Sequence, residues 1–273
     1  MDAIFEYDFL LNSVMAAFLS SISCGIIGLY IVTRRIVFIS GGVTHASFGG
    51  IGLAYYLGFN PIAGAAGFSI LSALIVEYLT KTLKIRNDSV IAIIWSFGMA
   101  VGIMLIYLTP GYAPNLMSYL FGNILTVTST ELYFMLGLSV LIVISFLVFY
   151  RFILFVSFDE EFAKIQNKPV NALNYLMISL VALTIVLNIR IVGIILVLSL
   201  LTIPQNLALI FSKNYRILLL LSVIFALTGT MGGLIASYFL DIPSGAGIIF
   251  LLSVMFILAK TMENVKMKLQ KKR

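Results

Sequence analysis

The sequence predicts an all-α, polytopic membrane protein of about eight or nine transmembrane helices, and three observations carry that prediction. First, 61% of the 273 residues are hydrophobic and only 10% are charged, with a mean hydropathy of +1.12. A soluble domain carries roughly 25% charged residues and could not hide so much apolar surface from water. Second, the apolar residues fall in continuous runs of about twenty, the length a helix needs to cross a bilayer. A barrel would show alternating segments of about ten. Third, the basic residues sit between the runs, so the net charge of +6 reads as topology and not as a nucleic-acid surface.

Taken in order, the tail 1–8 (MDAIFEYD) is acidic and lacks the basic start of a secretory signal, so the run 9–32 is expected to stay as a helix. Further runs follow at 36–57, 61–80, 90–108, 130–150, 171–188, 190–211, 216–239 and 243–260, and the basic stretch 261–273 closes the chain. The break between the sixth and seventh runs, LNIRIVG, is very short, and 116–125 has the look of a re-entrant helix, which leaves the count at eight or nine. With the N-terminus outside and the C-terminus cytoplasmic, every Lys and Arg except Arg190 falls on the cytoplasmic side. The expected organisation is an extracytoplasmic tail 1–8, a membrane domain 9–260 and a basic cytoplasmic tail 261–273 anchored on anionic lipid. Cys24 is the single cysteine, which excludes an internal disulfide and a Cys-rich metal cage.

The connection 156–171, VSFDEEFAKIQNKPVN, carries a helix of its own at about 157–168. Ser157 is the expected N-cap and Glu160, three residues on, completes a capping box. Asp159, Glu160 and Glu161 fill the first turn, where the helix dipole favours negative charge. Asn167 suits a left-handed end and Pro169 stops the helix. Phe158, Phe162 and Ile165 recur at i, i+4 and i+7, with Ala163 between them, as one apolar face. That face either rests on the membrane or docks in a groove on a partner. The acidic start favours a protein partner, because a helix lying on lipid is usually basic.

Within the membrane, FISGGVTHASFGG (38–50) holds His45, the only histidine. Gly41, His45, Gly49 and Gly52 fall on one stripe at i, i+4, i+8 and i+11, with Gly42 beside it. Small residues on a stripe let a neighbouring backbone approach closely. An imidazole there is expected to face the protein interior or a polar path, because polar groups in a span are costly and usually have a partner or a task. Two readings stay open: a single hydrogen bond to a neighbouring helix, or a gate or transient ligand for a cation, since neutral imidazole binds borderline metals. One histidine cannot build a closed four-ligand site, but a translocation path must release its cargo.

Elsewhere, Glu77 is placed to pair with Lys81 at i+4. Arg190 lies at the outer face, and Asp241 in LDIPSGAG reads as an external turn before a helix. No G-x-x-x-x-G-K-[ST] occurs, so any ATP that drives the protein is bound by another chain.

Several blocks in order resemble the permease subunit of the ABC-type importers for zinc, manganese and iron, the ABC-3 family. They are RRIVFISGGVTHASFGGIGLAYYLG (34–58), SFGMAVGI (96–103), LMSYLFGNIL (116–125), SFDEEFAKIQNKPVN (157–171), VGIILVLSLLTIP (192–204) and DIPSGAG (241–247). The resemblance implies a homodimer of permeases in the bacterial inner membrane, a transported divalent metal ion and no stably bound cofactor. It further implies a cytoplasmic ATP-binding cassette ATPase gripping the 157–168 helix and an extracytoplasmic metal-binding protein delivering the ion. The family pattern G-D-x-x-[SA]-H keeps its histidine at His45, but a glycine stands at its aspartate position, and its P-A-A-T-A is PQNLA (204–208). An ion-coupled secondary transporter is the alternative, and it would need intramembrane carboxylates that are nearly absent. A membrane-embedded enzyme would need a nucleophile–base pair or several metal ligands, which one histidine does not supply.

Overall fold

The computed structural model describes residues 8–110, 124–166 and 168–270, and all regular structure among them is helical. The order is α1 (Asp8–Thr33), α2 (Val37–Leu57), α3 (Pro61–Leu83), α4 (Asn87–Leu108), a 3₁₀ turn (Ile124–Thr126), α5 (Ser129–Phe158) and α6 (Glu160–Ile165). Then come α7 (Val170–Val192), α8 (Ile194–Leu200), α9 (Ile203–Phe211), α10 (Tyr215–Leu240) and α11 (Ser244–Gln270). Nine segments of the described residues are long and apolar enough to cross a membrane, α8 and α9 together making one. Each coincides with one of the nine runs. The re-entrant candidate 116–125 lies outside the described residues except for its last two, which enter the 3₁₀ turn. Large apolar side chains such as Tyr107, Leu147 and Phe250 point outward, as expected where lipid is the solvent.

Short-range chemistry explains the sharp ends. Gly58 caps α2 in the left-handed region (φ 74°) and its N–H donates to the Ala54 carbonyl. Two residues on, the Asn60 side chain accepts from the N–H groups of Ile62 (2.8 Å) and Ala63 (3.3 Å), with Pro61 at the first helical position. Asp241 ends α10 in the left-handed conformation, giving the turn expected before α11. Between α7 and α8 a single residue, Gly193 at φ 82°, makes the whole connection. The basic stretch continues α11 as far as Gln270.

The seventh run differs from expectation in being broken at Leu201–Thr202. The cause is Pro204, which has no N–H to give to the carbonyl four residues back, that of Leu200. Gln205 supplies the missing donor: its Nε2 lies 2.9 Å from the Leu200 oxygen and 2.9 Å from the Cys24 oxygen of α1. Gln205 is fully buried, and a Cβ on Gly28 of α1 would come within 2.6 Å of its Cδ.

The described contacts divide the chain into two compact units. One comprises Met1–Val32, Phe121–Ser139 and Ile191–Arg273. Inside it, Ser21 and Thr230 hydroxyls meet at 2.9 Å between α1 and α10, and Gly233 of α10 sits against Ile248 of α11. The other unit comprises Thr33–Leu120 and Val140–Arg190, and holds both candidate sites. Its core joins Ile51 of α2, Ala65 of α3 and Val186 of α7.

Candidate functional site

Helix α2 is wedged between α3 and α4 by backbone-to-backbone contact. A Cβ on Gly49 would lie 3.0 Å from the Gly98 oxygen of α4, and one on Gly52 would lie 2.5 Å from the Gly102 oxygen. From the other side, a Cβ on Gly98 would meet Ala46 Cα at 2.6 Å. On the α3 side, a Cβ on Gly50 would lie 2.6 Å from the Gly64 carbonyl carbon. The small residues therefore do what the stripe predicts at Gly49 and Gly52, but its first half is shifted by one residue. The line of closest approach to α4 runs through Gly42, Ala46, Gly49 and Gly52, while Gly41 and His45 flank it and are half-buried.

His45 lays its ring flat on Trp95 of α4, the only tryptophan, with centroids 4.3 Å apart and planes 2° from parallel. Its Nδ1 is buried and has no hydrogen-bond partner among the described residues. Trp95 sits one turn beyond Ile91, and Ile91 is what fills the space at position 42: a Cβ on Gly42 would run into its Cγ2. The imidazole thus has a nitrogen free to accept or to ligate, beside an aromatic wall. Among the described residues no group of three His, Cys, Asp or Glu side chains could hold a metal ion together. Sequence reading did not find Trp95, because nothing in its spacing ties it to His45.

The second candidate is the connection from α5 to α7. Its short helix is α6, Glu160–Ile165, rather than 157–168. Ser157 is not the N-cap, because α5 runs on through Phe158 and holds Ser157 in its last turn, with Oγ buried and without a hydrogen-bond partner among the described residues. The cap is Asp159, whose carboxylate accepts from the Phe162 N–H at 2.9 Å. Nor does Glu160 close a capping box. The reciprocal pair forms instead at the start of α5, where Glu131 accepts from the N–H of Thr128 at 2.9 Å and its own N–H is held by the Thr128 hydroxyl. The signal was TSTE at 128–131, directly before an apolar run. Asn167 lies outside the described residues.

Glu160 turns inward and collects partners from four elements. Its Oε2 receives Arg34 Nη2 at 2.6 Å, from the α1–α2 connection. Its Oε1 receives Lys81 of α3 at 3.1 Å, Lys164 of α6 at 3.0 Å and Asn174 Nδ2 of α7 at 3.2 Å. Lys81 also pairs with Glu77, as the i+4 spacing predicts. Arg34 Nη1 donates to the Val156 carbonyl of α5 at 2.8 Å. Burial alone would raise the Glu160 carboxyl, but hydrogen bonds from Arg34 and Lys164 and the charges of Arg34 and Lys81 outweigh it and lower the pKa to about 2. These contacts bring the basic segments after α1, after α3 and around α6 to one end of the unit, as the charge pattern requires of loops on one side of a membrane.

Most of the other side chains of α6, and Phe158 at the end of α5, face outward. Phe158 and Ile165 are 72% and 76% exposed, Phe162 is exposed but leans on Phe155, and Glu161 is exposed. Ala163 alone is buried under the turn.

Residues 6–263 match the model of the ABC 3 transport family. The membrane protein slr2045 of Synechocystis sp. is 41% identical over 254 residues, covering 93% of this chain and 90% of that protein. The manganese transport system membrane protein MntC of Halalkalibacterium halodurans is 31% identical over 258 residues, covering 94% and 88%. Among solved structures, PsaBC from Streptococcus pneumoniae in complex with Fab superposes with a TM-score of 0.83 at 30% identity, covering 94% of this chain and 93% of that one.

Proposed function

The chain belongs to the ABC 3 transport family, the membrane permeases of ABC metal importers, and from that premise we propose how it works. It is a transport subunit that spans a bacterial inner membrane many times. It forms, with a second copy of itself, the path by which a divalent transition metal ion enters the cytoplasm. Manganese is the first candidate, because relatives with this sequence pattern are named for it. Energy comes from a cytoplasmic ATPase that docks on α6, and the ion is delivered by an extracytoplasmic binding protein. In this reading the N-terminus lies outside and the C-terminus inside, which the distribution of Lys and Arg supports.

The observation that carries the reading of the path is the buried, unpartnered Nδ1 of His45 on the wall of Trp95. A single neutral imidazole binds a borderline metal weakly enough to let it go, which transit requires. Gly41, Gly42, Gly49 and Gly52 keep α2 thin enough for that ring to sit between helices. The reading of the docking helix rests on the exposed apolar side chains of Phe158, Phe162 and Ile165 around a helix held rigidly from behind.

His45→Ala, reconstituted with the ATPase and assayed for Mn²⁺ uptake and ATP hydrolysis together, tests the path. Loss of uptake with hydrolysis retained is expected, and unchanged uptake overturns it. Trp95 gives an independent readout in the chain alone. Paramagnetic Mn²⁺ reaching His45 quenches its fluorescence, and His45→Ala removes that quenching.

A further inference from the structure

We propose that Glu160 is the positioning residue that ties the α6 helix to the helix bearing His45, so that ATPase movement at α6 reaches the metal path as one rigid displacement. The proposal rests on α6 being the ATPase docking helix. It goes beyond that reading by naming the carboxylate that carries the motion and the route it takes.

The geometry is that of a hub. Apart from its own i+4 partner Lys164, Glu160 is gripped by side chains from the α1–α2 connection, α3 and α7, through distances of 2.6–3.2 Å. Its side chain is only 19% exposed, and those of Arg34 and Lys81 are 16% and 24% exposed, so water screens the cluster little. A surface ion pair contributes almost nothing because each long side chain must be immobilised for one contact. Here one immobilised carboxylate meets three cations and the Asn174 amide, and Arg34 also fixes the last turn of α5 through Val156. Among the described residues, Glu77 is the other carboxylate paired with one of these cations, Lys81.

The route onward is short. Arg34 lies in the turn three residues before α2. From Val37 to His45 the helix is unbroken, roughly 12 Å at 1.5 Å per residue. Lys81 ends α3, which locks to α2 where Gly50 meets Gly64. Displacing Glu160 therefore moves both α2 and α3, and α2 cannot yield to α3 without a steric clash.

The test uses the full chain reconstituted with its ATPase, with Mn²⁺ as cargo, and reads the ratio of ions taken up to ATP hydrolysed. Glu160→Gln keeps the size and loses the charge. Its ratio is expected to fall about tenfold in a complex that still assembles and hydrolyses ATP. Asp88→Asn, which removes a fully surface-exposed pair with Arg86, is expected to leave the ratio unchanged. Glu160→Asp, with the charge retained one methylene shorter, is expected to fall between. Because the hub acts as a unit, adding Glu160→Gln to Arg34→Met and Lys81→Met is expected to cost little more than Glu160→Gln alone. A normal ratio in assembled Glu160→Gln, or losses that multiply in the combined variant, overturns the proposal. Should Glu160→Gln not assemble, Arg34→Lys, which keeps the charge but cannot hold Glu160 and Val156 together, is measured instead. A normal ratio there overturns it equally. The underlying reading fails separately: Phe158→Asp with Ile165→Asp would then still assemble with the ATPase.

Discussion

The α2–α3 contact makes a prediction with an internal control. In Gly50→Ala the new Cβ would stand 2.6 Å from the Gly64 carbonyl carbon and 2.7 Å from Phe68 Cβ, against an ordinary contact of 3.4–4 Å. Gly64→Ala would place its Cβ 2.8 Å from that of Ala54, and closer still to the Gly50 oxygen. The obstacle on each side is backbone, which no rotamer change relieves, so α2 and α3 must part by about 1 Å. Overpacking of this kind costs about 1–3 kcal/mol. Alanine's better helix propensity would return up to about 1 kcal/mol in water. In a membrane it returns less, because the helix stays formed when its neighbours separate. Gly67, on the same α3, has nothing within 4 Å of a new Cβ. The expected order of thermal stability in detergent is therefore Gly67→Ala equal to wild type, and both Gly50→Ala and Gly64→Ala lower by about 1–3 kcal/mol. At about 2–4 °C per kcal/mol that is a readable shift. Because one separation relieves both clashes, the double variant should lose less than the sum. Equal behaviour of Gly50→Ala and Gly67→Ala, or full additivity in the double variant, would refute the claim that these two backbones touch.

Three further predictions concern the two sites. Gly42→Asp should lower thermal stability by about 1–3 kcal/mol, because its Cβ meets Ile91, and Gly42→Asp with Ile91→Ala should recover most of the loss; no recovery would show that Ile91 is not the obstacle. Asp159→Ala should cost about 1 kcal/mol of α6 stability by uncapping the Phe162 N–H, read as roughly fivefold faster exchange of that amide; unchanged exchange would contradict the cap. For the Glu160 hub the sign follows from a carboxyl lowered from 4.5 to about 2: its contribution is complete above pH 4.5 and is lost as pH falls through about 2. The stability difference between wild type and Glu160→Gln should therefore stay flat from pH 8 to 5 and shrink only below that. A difference that titrates between pH 6 and 8 would belong to another group.

The fold was legible because lipid imposes a simple rule: each crossing must be a continuous apolar helix, and each loop declares its side by its charge. That rule placed the boundaries near Gly58 and Asp241, where capping chemistry agrees with it. It failed at Pro204, where the run is apolar throughout but one backbone donor is missing. The Gln205 side chain that makes the repair also bonds to Cys24, 181 residues away in sequence, and no local pattern announces such a bond. The same limit explains the capping box. S-x-x-E at 157–160 and T-x-x-E at 128–131 carry the same local signal, and only the first was read as a cap. At 157 the preceding helix has not yet ended, because the apolar run feeding it extends α5 to Phe158.

The candidate sites were legible in their residues but not in their partners. His45 stood out for being alone, and Glu160 for lying in a first helical turn. Glu160 was assigned a neighbour from its own segment and finds three more on other elements, whereas His45 was expected to meet a neighbouring helix but not Trp95 in particular. The stripe was read as if α2 faced its neighbour squarely through His45. The glycines of α4 rotate the contact line to Gly42 and Ala46, which moves the ring onto Trp95. For Glu160, the helix dipole explained an acidic residue at that position, and the explanation was sufficient without being the operative one. Arg34, Lys81 and Asn174 lie 126, 79 and 14 residues away. Each is an ordinary loop-end or helix-end polar group in sequence, and the positive-inside bias alone accounts for the two cations. A charge that topology already explains gives no hint that it also has a specific partner. In a membrane protein this is a general loss, since the residues that set orientation are the same ones that can join the loops on one side into a single mechanical unit.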